Sequence, residues 1–275
     1  MQIRKLSTPQ EYLEAERVQR TVWHFPDREI VPLNELVVLQ KHGGHVFGAF
    51  EGGRMVAFCF GCPGYREGKV YHYSRMLGVM PGFQDTGIGF KMKLRQRDYV
   101  LKQGLDLVVW TFDPLQSRNA YLNIEKLGCV IREYSENLYP ESGSRFNRGM
   151  ESDRFTPEWW IASGRVRSRL RGERPGHEVD RYATALETRD HPKGGREPLG
   201  VRPRLKDPRI RIEIPDDIDA IKRKNLPLAQ LWRLRSREAF EAYLDRGYVI
   251  MGFVSRPEGG RRRSYYLLER EFRVR

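Results

Sequence analysis

The feature that most constrains the fold is an uninterrupted strand, turn and helix in the first half of the chain. Residues 70–79 are predicted to form a strand, and residues 88–102 carry apolar side chains at the spacing of an amphipathic helix. The turn between them contains Gly82, Gly87 and Gly89. A strand that passes directly into a helix indicates a mixed α/β fold.

The neighbouring segments supply the other elements of such a fold. A hairpin is predicted to turn at Gly52-Gly53, and residues 105–112 are nearly all apolar, which is typical of a strand buried on both faces. The predicted elements of the first part are, in order, helices at 11–23 and 33–39, strands at 45–50, 55–60 and 70–79, a helix at 88–102, a strand at 105–112, a helix at 119–127, and strands at 129–138 and 154–161.

Composition excludes several classes of protein. The chain has 275 residues, of which 39% are hydrophobic and 11% aromatic, so it is not wholly disordered. No run approaches 18 consecutive apolar residues, and no apolar segment follows Met1, so neither a membrane span nor a secretory signal is expected. Three cysteines do not form a disulfide framework. The expected compartment is the cytoplasm, with no membrane partner.

The net charge of +13 is concentrated in the middle of the chain. Residues 163–208 are basic, rich in proline and glycine and almost without hydrophobic periodicity, so they are predicted to be a linker or arm. Such an arm could contact phosphates of a nucleic acid, or it could be a plain solvated linker. No nucleic-acid motif accompanies it, so a nucleic-acid partner is not expected. The predicted domains are 1–162, the linker 163–208, and 209–275.

The turn before the helix at 88–102 has the chemistry of an anion site. Its glycines allow the backbone to approach a ligand, and a helix N-terminus offers unpaired N–H groups. The natural ligand for such a loop is a diphosphate. Lys91, Lys93 and Arg95, in the first turns of the helix, could add positive charge.

The same run resembles the signature of the GNAT acyltransferase superfamily. The matching residues are Val79, Pro81, Phe83 and then the pattern Gln-x-x-Gly-x-Gly formed by Gln84, Gly87 and Gly89. The order of elements over roughly residues 1–162 is also similar to that family. The resemblance implies a mixed, mostly antiparallel central sheet flanked by helices.

The resemblance also implies a function and a set of binding residues. In that family the loop holds the pyrophosphate of coenzyme A, and the preceding strand splays from the next one so that the pantetheine arm lies in the gap. Acetyl-CoA or another acyl-CoA is therefore the expected co-substrate, and no metal is expected. The residues that would bind it are those of the strand end, Leu77, Gly78 and Val79, and those of the loop, Gln84, Asp85, Thr86, Gly87, Ile88 and Gly89.

The sequence departs from the family pattern at two positions. Asp85 places a carboxylate where the family usually has a basic or small residue. Many members have a tyrosine that protonates the leaving thiolate, in the run Tyr-x-Lys-x-Gly. Here that run contains Lys126 and Gly128, but the tyrosine position is Ile124. Tyr121, nearly one helical turn earlier, is the candidate acid; the alternative is that it belongs to the core.

Three residues are candidates for the general base that accepts the proton of an attacking amine. His72 lies on the predicted strand 70–79, where it could instead be a buried strand histidine. Asp113 follows the apolar strand 105–112, and its alternative role is to cap the turn before Pro114. Glu35, on a predicted helix, is a further candidate whose alternative is a solvated side chain. Two cysteines, at 59 and 62, lack further ligands at metal spacing and are expected to be inert thiols.

The C-terminal part repeats a portion of the first domain. Ser117-Arg118 and a glycine eleven positions after the serine, Gly128, correspond to Ser236-Arg237 and Gly247. Each copy is predicted to be a helix, a glycine stop and a strand, preceded by an apolar strand. Residues 209–275 are therefore predicted to form a strand–helix–hairpin unit that resembles half of the acyltransferase fold, with an extra helix at about 216–232. It has no glycine loop, so it should not bind a second coenzyme A.

These observations predict an acyl-CoA-dependent N-acyltransferase in which an amine attacks the thioester directly. The chain is similar to a bacterial subgroup of acetyltransferases that carry Trp-Thr-Phe-Asp-Pro, here residues 110–114, and a C-terminal extension. That resemblance implies a small-molecule acceptor, such as an amino acid, and succinyl-CoA beside acetyl-CoA as donor. The alternatives are a catalytically degenerate binding module and a protein that binds nucleic acid through its basic arm. A homodimer is left open.

Overall fold

A computed structural model describes residues 1–140, 143–144, 147–192 and 195–274. The chain divides into two compact units. The first comprises residues 1–110 together with 141–148, and the second comprises residues 111–140 and 149–275. This division differs from the predicted boundary at residue 162.

The first unit is a five-stranded sheet with helices on both faces. Its elements are β1 (Gln2–Lys5), α1 (Pro9–Trp23), α2 (Leu33–Lys41), β2 (His45–Glu51), β3 (Arg54–Arg66), β4 (Lys69–Val79), α3 (Ile88–Lys102) and β5 (Leu107–Val109). The sheet order is β1-β2-β3-β4-β5. Neighbours are antiparallel except that β5 runs parallel to β4.

Alternation along the strands assigns each helix to a face of this sheet. Phe58 and Phe60 of β3 pack with the apolar side of α1 and α2, whereas Ala57 and Cys59 pack with Met92 of α3. The α1 helix starts at a side-chain cap, because the Thr8 hydroxyl accepts a hydrogen bond from the Glu11 amide. The sheet therefore presents β4 between two helical layers, with α3 alone on one side.

The second unit is a six-stranded sheet with one long helix and a separate hairpin. Its elements are α4 (Ser117–Ala120), β6 (Val130–Ser135), β7 (Arg154–Trp160), α5 (Gly164–Leu170), β8 (Ala183–Thr184), β9 (Leu186–Asp190), β10 (Arg196–Val201), β11 (Arg209–Ile214), α6 (Ile218–Lys224), α7 (Leu226–Leu244), β12 (Tyr248–Glu258) and β13 (Arg261–Arg270). The sheet order is β7-β6-β12-β13-β11-β8, and β9 pairs with β10. A π-helical turn, Tyr121–Lys126, continues from α4.

The predicted repeat is present in this second unit. The β6–β7 pair shifts register between Ile131 and Glu133, and the β12–β13 pair shifts between Ile250 and Gly252, the equivalent positions. Ile131 lies directly opposite Ile250 where β6 meets β12. Equivalent residues oppose each other when two copies are related by a local two-fold axis. The half-fold copies thus pair edge to edge through β6 and β12.

The core of the second unit forms where the two copies meet. Phe155 of β7 and Tyr266 of β13, which occupy equivalent positions, pack against each other at 5.4 Å between ring centroids. Phe240 of α7 contacts both rings, at 4.7 and 5.3 Å. The C-terminal copy therefore buries its apolar face against the N-terminal copy rather than forming a core of its own.

The predicted linker is instead folded, which corrects the sequence interpretation of 163–208. It contains α5, β8 and the β9–β10 hairpin, and it buries Val179, Tyr182, Ala185 and Leu186. The apolar residues are too few and too irregularly spaced to show a period, yet they suffice for one short strand that joins a larger sheet and for a separate hairpin. Residues 193 and 194 of this stretch lie outside the described residues.

The bounds of other helices and strands also differ from the predicted ones. The strand predicted at 105–112 is shorter, Leu107–Val109, although Phe112 forms an isolated bridge with Phe155 in the second unit. The extra helix predicted at 216–232 is two helices, α6 and α7. The predicted fold class, a mixed and mostly antiparallel sheet flanked by helices with a strand–helix–hairpin extension, is confirmed.

Trp232 is expected to be a major contributor to the stability of the second unit. Its side chain is fully buried in α7, and its indole N–H donates to the Arg196 carbonyl at 3.1 Å. Trp232→Ala should lower the free energy of unfolding by about 3–5 kcal/mol, measured by urea titration. Leu234→Ala, on the same helix at a side chain that is 54% exposed, is the control. Equal effects of the two substitutions would contradict this assignment.

Candidate functional site

The loop between β4 and α3 is a tightly wound, exposed segment. Gly82, Asp85 and Gly87 have positive φ angles of 86, 62 and 82°. The Thr86 hydroxyl donates to the Phe83 carbonyl at 2.6 Å, and this hydrogen bond stabilises the conformation of the middle of the loop. Left-handed residues interspersed in a turn can direct successive backbone N–H groups toward one side, which is a recurring way to bind anions.

The loop leads directly into the first turn of α3. Gly87 is the N-cap residue of α3, and within the described part of the chain no side chain caps that helix. The first-turn amide groups are thus available to a ligand, and the helix dipole favours an anion there. The predicted binding residues Gln84, Asp85 and Thr86 are exposed, whereas Ile88 is buried as the anchor of the helix.

A gap opens between β4 and β5 beside this loop. The two strands pair only at His72 with Val108 and at Tyr73 with Val109. β4 continues to Val79, so residues 74–79 have no ladder partner on the β5 side among the described residues. The register with β3 shifts at Arg75, which forms a bulge next to the point of separation. The described ladder between β4 and β5 is thus limited to two residue pairs, and the splay implied by the family resemblance stays an expectation.

The end of β4 forms one wall of this gap. Leu77 and Val79 direct their side chains into the cluster beneath α3. Gly78 lies on the other face, where an added Cβ would come within 2.7 Å of the Trp23 ring. The side chains of this segment are thereby committed to the two faces of the sheet, and its backbone is what faces the gap.

His72 lies in a buried polar cluster on the α3 face of the sheet. Its ring stacks on His45 with 4.9 Å between centroids, and both side chains are fully buried. Burial, with the charge of Lys93 second, lowers the pKa of His72 to about 4. Neither ring nitrogen of His72 has a hydrogen-bond partner among the described residues. The ring is therefore neutral near pH 7.

The same cluster contains a lysine whose position the sequence analysis misjudged. Lys93, predicted to add charge near the loop, is buried on the inner side of α3. Its ammonium donates to the Ser74 hydroxyl at 3.0 Å and to the Gln96 side-chain oxygen at 3.1 Å, and lies 3.5 Å from the centroid of Trp110. The spacing Met92, Gln96, Val100 places position 93 on the buried stripe of the helix, which was the available signal.

Asp113 lies in the second unit, where its carboxylate accepts two hydrogen bonds. One oxygen accepts from the Leu115 amide at 2.8 Å, and the other accepts from the Arg233 guanidinium at 2.6 Å. The first bond is the turn cap that was the alternative to a catalytic role. Arg233 is fully buried, and its remaining Nε and Nη1 have no partner among the described residues.

Tyr121 also belongs to the second unit and begins its π-helical turn. The side chain is 42% exposed, so it is not part of the core, which was the alternative for this residue. Ile124, at the position of the family tyrosine, is fully buried, and its side chain has no acidic proton to donate to a thiolate. Glu35, the further base candidate, is exposed on α2.

The cysteines and the rest of the described chain show no metal cluster. Cys59 is buried and Cys62 half-buried, and burial raises the pKa of the Cys59 thiol to about 12. Among the described residues no three His, Cys, Asp or Glu side chains meet at metal-binding distance. Within that same part, no helix has both the length and the apolar character needed to cross a membrane.

Comparisons with known proteins return acetyltransferases. The ribosomal-protein-S18-alanine N-acetyltransferase of Escherichia coli is 16% identical, covers 64% of this chain and 97% of its own, and has a TM-score of 0.45. Aminoglycoside 6'-acetyltransferase type Ii is 18% identical, covers 58% and 97%, and scores 0.47. A GNAT-family acetyltransferase of Streptococcus pneumoniae is 16% identical, covers 57% and 96%, and scores 0.45. No family model and no curated protein matches the sequence.

The low pKa of His72 predicts a pH dependence of stability. Because the pKa falls from 6.5 in the unfolded chain to about 4 in the folded one, the unfolded chain takes up the proton first as the pH drops. The contribution of His72 to the free energy of unfolding should therefore decline as the pH falls from about 6.5 to 4. Above pH 6.5 that contribution should be constant. In His72→Phe, urea unfolding across this range should show a weaker decline. The exposed His42→Phe should keep the parental slope, and a parental slope in His72→Phe would refute the assignment.

Proposed function

We propose that this chain is an acyl-CoA-dependent N-acyltransferase of the GNAT superfamily. The observation that carries the proposal is the placement of the wound loop and the uncapped start of α3 at the end of the β4–β5 gap. An anion site that opens into a strand-wide gap fits a ligand with a diphosphate at one end and an extended arm. Coenzyme A has that shape and chemistry.

The residues of the first unit fit such a ligand in three ways. The amides of Gln84 to Gly89 would hold the diphosphate. The backbone groups of Leu77 and Val79 on the β5 side of β4 would pair with the amide groups of the pantetheine arm as an added strand does, in place of the Gln84 side-chain amide that donates to the Val79 carbonyl at 3.3 Å. A backbone N–H near the bulge at Arg75 would polarise the thioester carbonyl. Asp85 is exposed, so its carboxylate can point into solvent.

The proposed reaction is direct transfer of an acetyl or succinyl group to the amine of a small molecule, with amino acids among the candidate acceptors. The amine nitrogen forms a bond to the thioester carbon, the carbon–sulfur bond breaks, and the thiol leaves with a proton. His72 and Asp113 are the candidate bases and Tyr121 the candidate acid. The expected location is the cytoplasm, and a homodimer remains a candidate assembly.

Binding of the donor is the first test. Gly87→Glu places a carboxylate and a side chain inside the anion site, so the Kd for acetyl-CoA measured by calorimetry should rise at least about 100-fold. Gly68→Glu is the matched control, because Gly68 has a similar φ of 79° and equally open surroundings but lies in the β3–β4 turn. Acetyl-CoA that bound both variants and the parent with one affinity would remove the basis of the proposal.

Turnover is the second test, and it separates the enzyme from a binding module of the same fold. The binding-module alternative is favoured by the buried Ile124 at the position of the acid. Release of free thiol from acetyl-CoA and succinyl-CoA should be measured with a panel of amines that includes amino acids. An enzyme releases thiol with at least one amine, and Asp113→Asn, His72→Phe or Tyr121→Phe should lower kcat by about 100-fold if that residue transfers the proton. Binding without thiol release would establish the module.

A further inference from the structure

The closed end of the β4–β5 gap contains a buried cation. Ser74 immediately follows the last paired residue of β4, and Trp110 immediately follows the last paired residue of β5. The Lys93 ammonium contacts both, at 3.0 Å from the Ser74 hydroxyl and 3.5 Å from the Trp110 ring centroid. The lysine thus lies where the two strands part.

The positive charge at this point acts on its neighbours. Burial is the largest cause of the lowered pKa of His72 and of His45; Lys93 is the second cause for His72 and, after His72, the third for His45. All three side chains are buried, so little water screens the charge. An anion that reached this end of the gap would meet an ammonium group already stripped of most of its hydration.

The geometry of the gap determines which part of a bound acyl-CoA reaches this end. The diphosphate loop follows Val79, and the gap closes at Ser74. Six residues of strand span about 20 Å at 3.3 Å per residue, a length of the same order as an extended pantetheine arm. In such a complex the thioester would lie near the bulge at Arg75, and the acyl chain would extend toward Ser74, Trp110 and Lys93.

We propose that the acyl group of the donor carries a terminal carboxylate, of malonyl to succinyl size, which is bound by the Lys93 ammonium and the Ser74 hydroxyl. This inference rests on the proposed function. A carboxylate would accept charge-assisted hydrogen bonds from the ammonium and a further bond from the hydroxyl. The unpartnered ring of His72, on the same face of β4, is a third donor at this end.

A neutral acyl chain gains nothing from this arrangement. A methyl or propyl group placed beside the ammonium would bury it further without a new hydrogen bond, which is unfavourable. The cluster therefore discriminates between acyl groups of equal length that differ in charge. Succinyl and butyryl groups form such a pair, since a carboxylate in one replaces a methyl group in the other.

The test compares the Kd of succinyl-CoA and butyryl-CoA by calorimetry. The parent protein should bind succinyl-CoA at least about tenfold more tightly, and Lys93→Met should bind the two esters equally. Lys102→Met removes an exposed charge from the other end of α3 and should keep the parental preference. Far-UV circular dichroism verifies that each variant is folded.

The parent measurement alone decides the outcome if Lys93→Met does not fold. Equal or reversed affinities in the parent, with tight binding of both esters, would overturn this inference and leave the proposed function intact. A parental preference that survives in folded Lys93→Met would also overturn it. Failure of succinyl-CoA, butyryl-CoA and acetyl-CoA all to bind would instead reject the proposed function.

Discussion

The early end of the ladder between β4 and β5 is the constraint on which the candidate site depends. Two parallel strands that pair over only two residues leave a row of backbone donors and acceptors of β4 without ladder partners within the described part of the chain. Such groups are costly to bury and readily accept an extended ligand. The bulge at Arg75, the glycine loop and the uncapped α3 all adjoin that unpaired row, so the first unit offers one continuous polar track along β4.

The second unit combines two half folds, each of which is small. A strand, a helix and a hairpin cannot bury enough apolar surface alone. Here two such pieces share one sheet, with Ile131 opposite Ile250 and with Phe155 against Tyr266. Through this local two-fold relation, each copy buries its apolar face against the other copy.

The excess of arginine in the middle of the chain is largely structural in its visible contacts. Arg196 pairs with Glu213 at 3.0 Å, and Arg165 donates to the Gly128 carbonyl at 2.8 Å. Arg233 is buried beside Asp113. Arg165 and Arg196, which the composition presented as part of a basic arm, therefore connect strands and turns of the second unit, and a high net charge did not by itself indicate a nucleic-acid partner.

Local signals in the sequence determined the order of the elements, the glycine loop with its family resemblance, and the repeat, because turns, periodicity and spacing are set by residues close in the chain. The sequence could not show that 163–208 folds, since β8 pairs with the distant β11 and β10 accepts a hydrogen bond from Trp232 of α7. It also misplaced Lys93, because a lysine at a helix start reads as exposed until Ser74 and Trp110 are known to cover it. Contacts between distant residues decided the burial, and burial decided the electrostatics of the site.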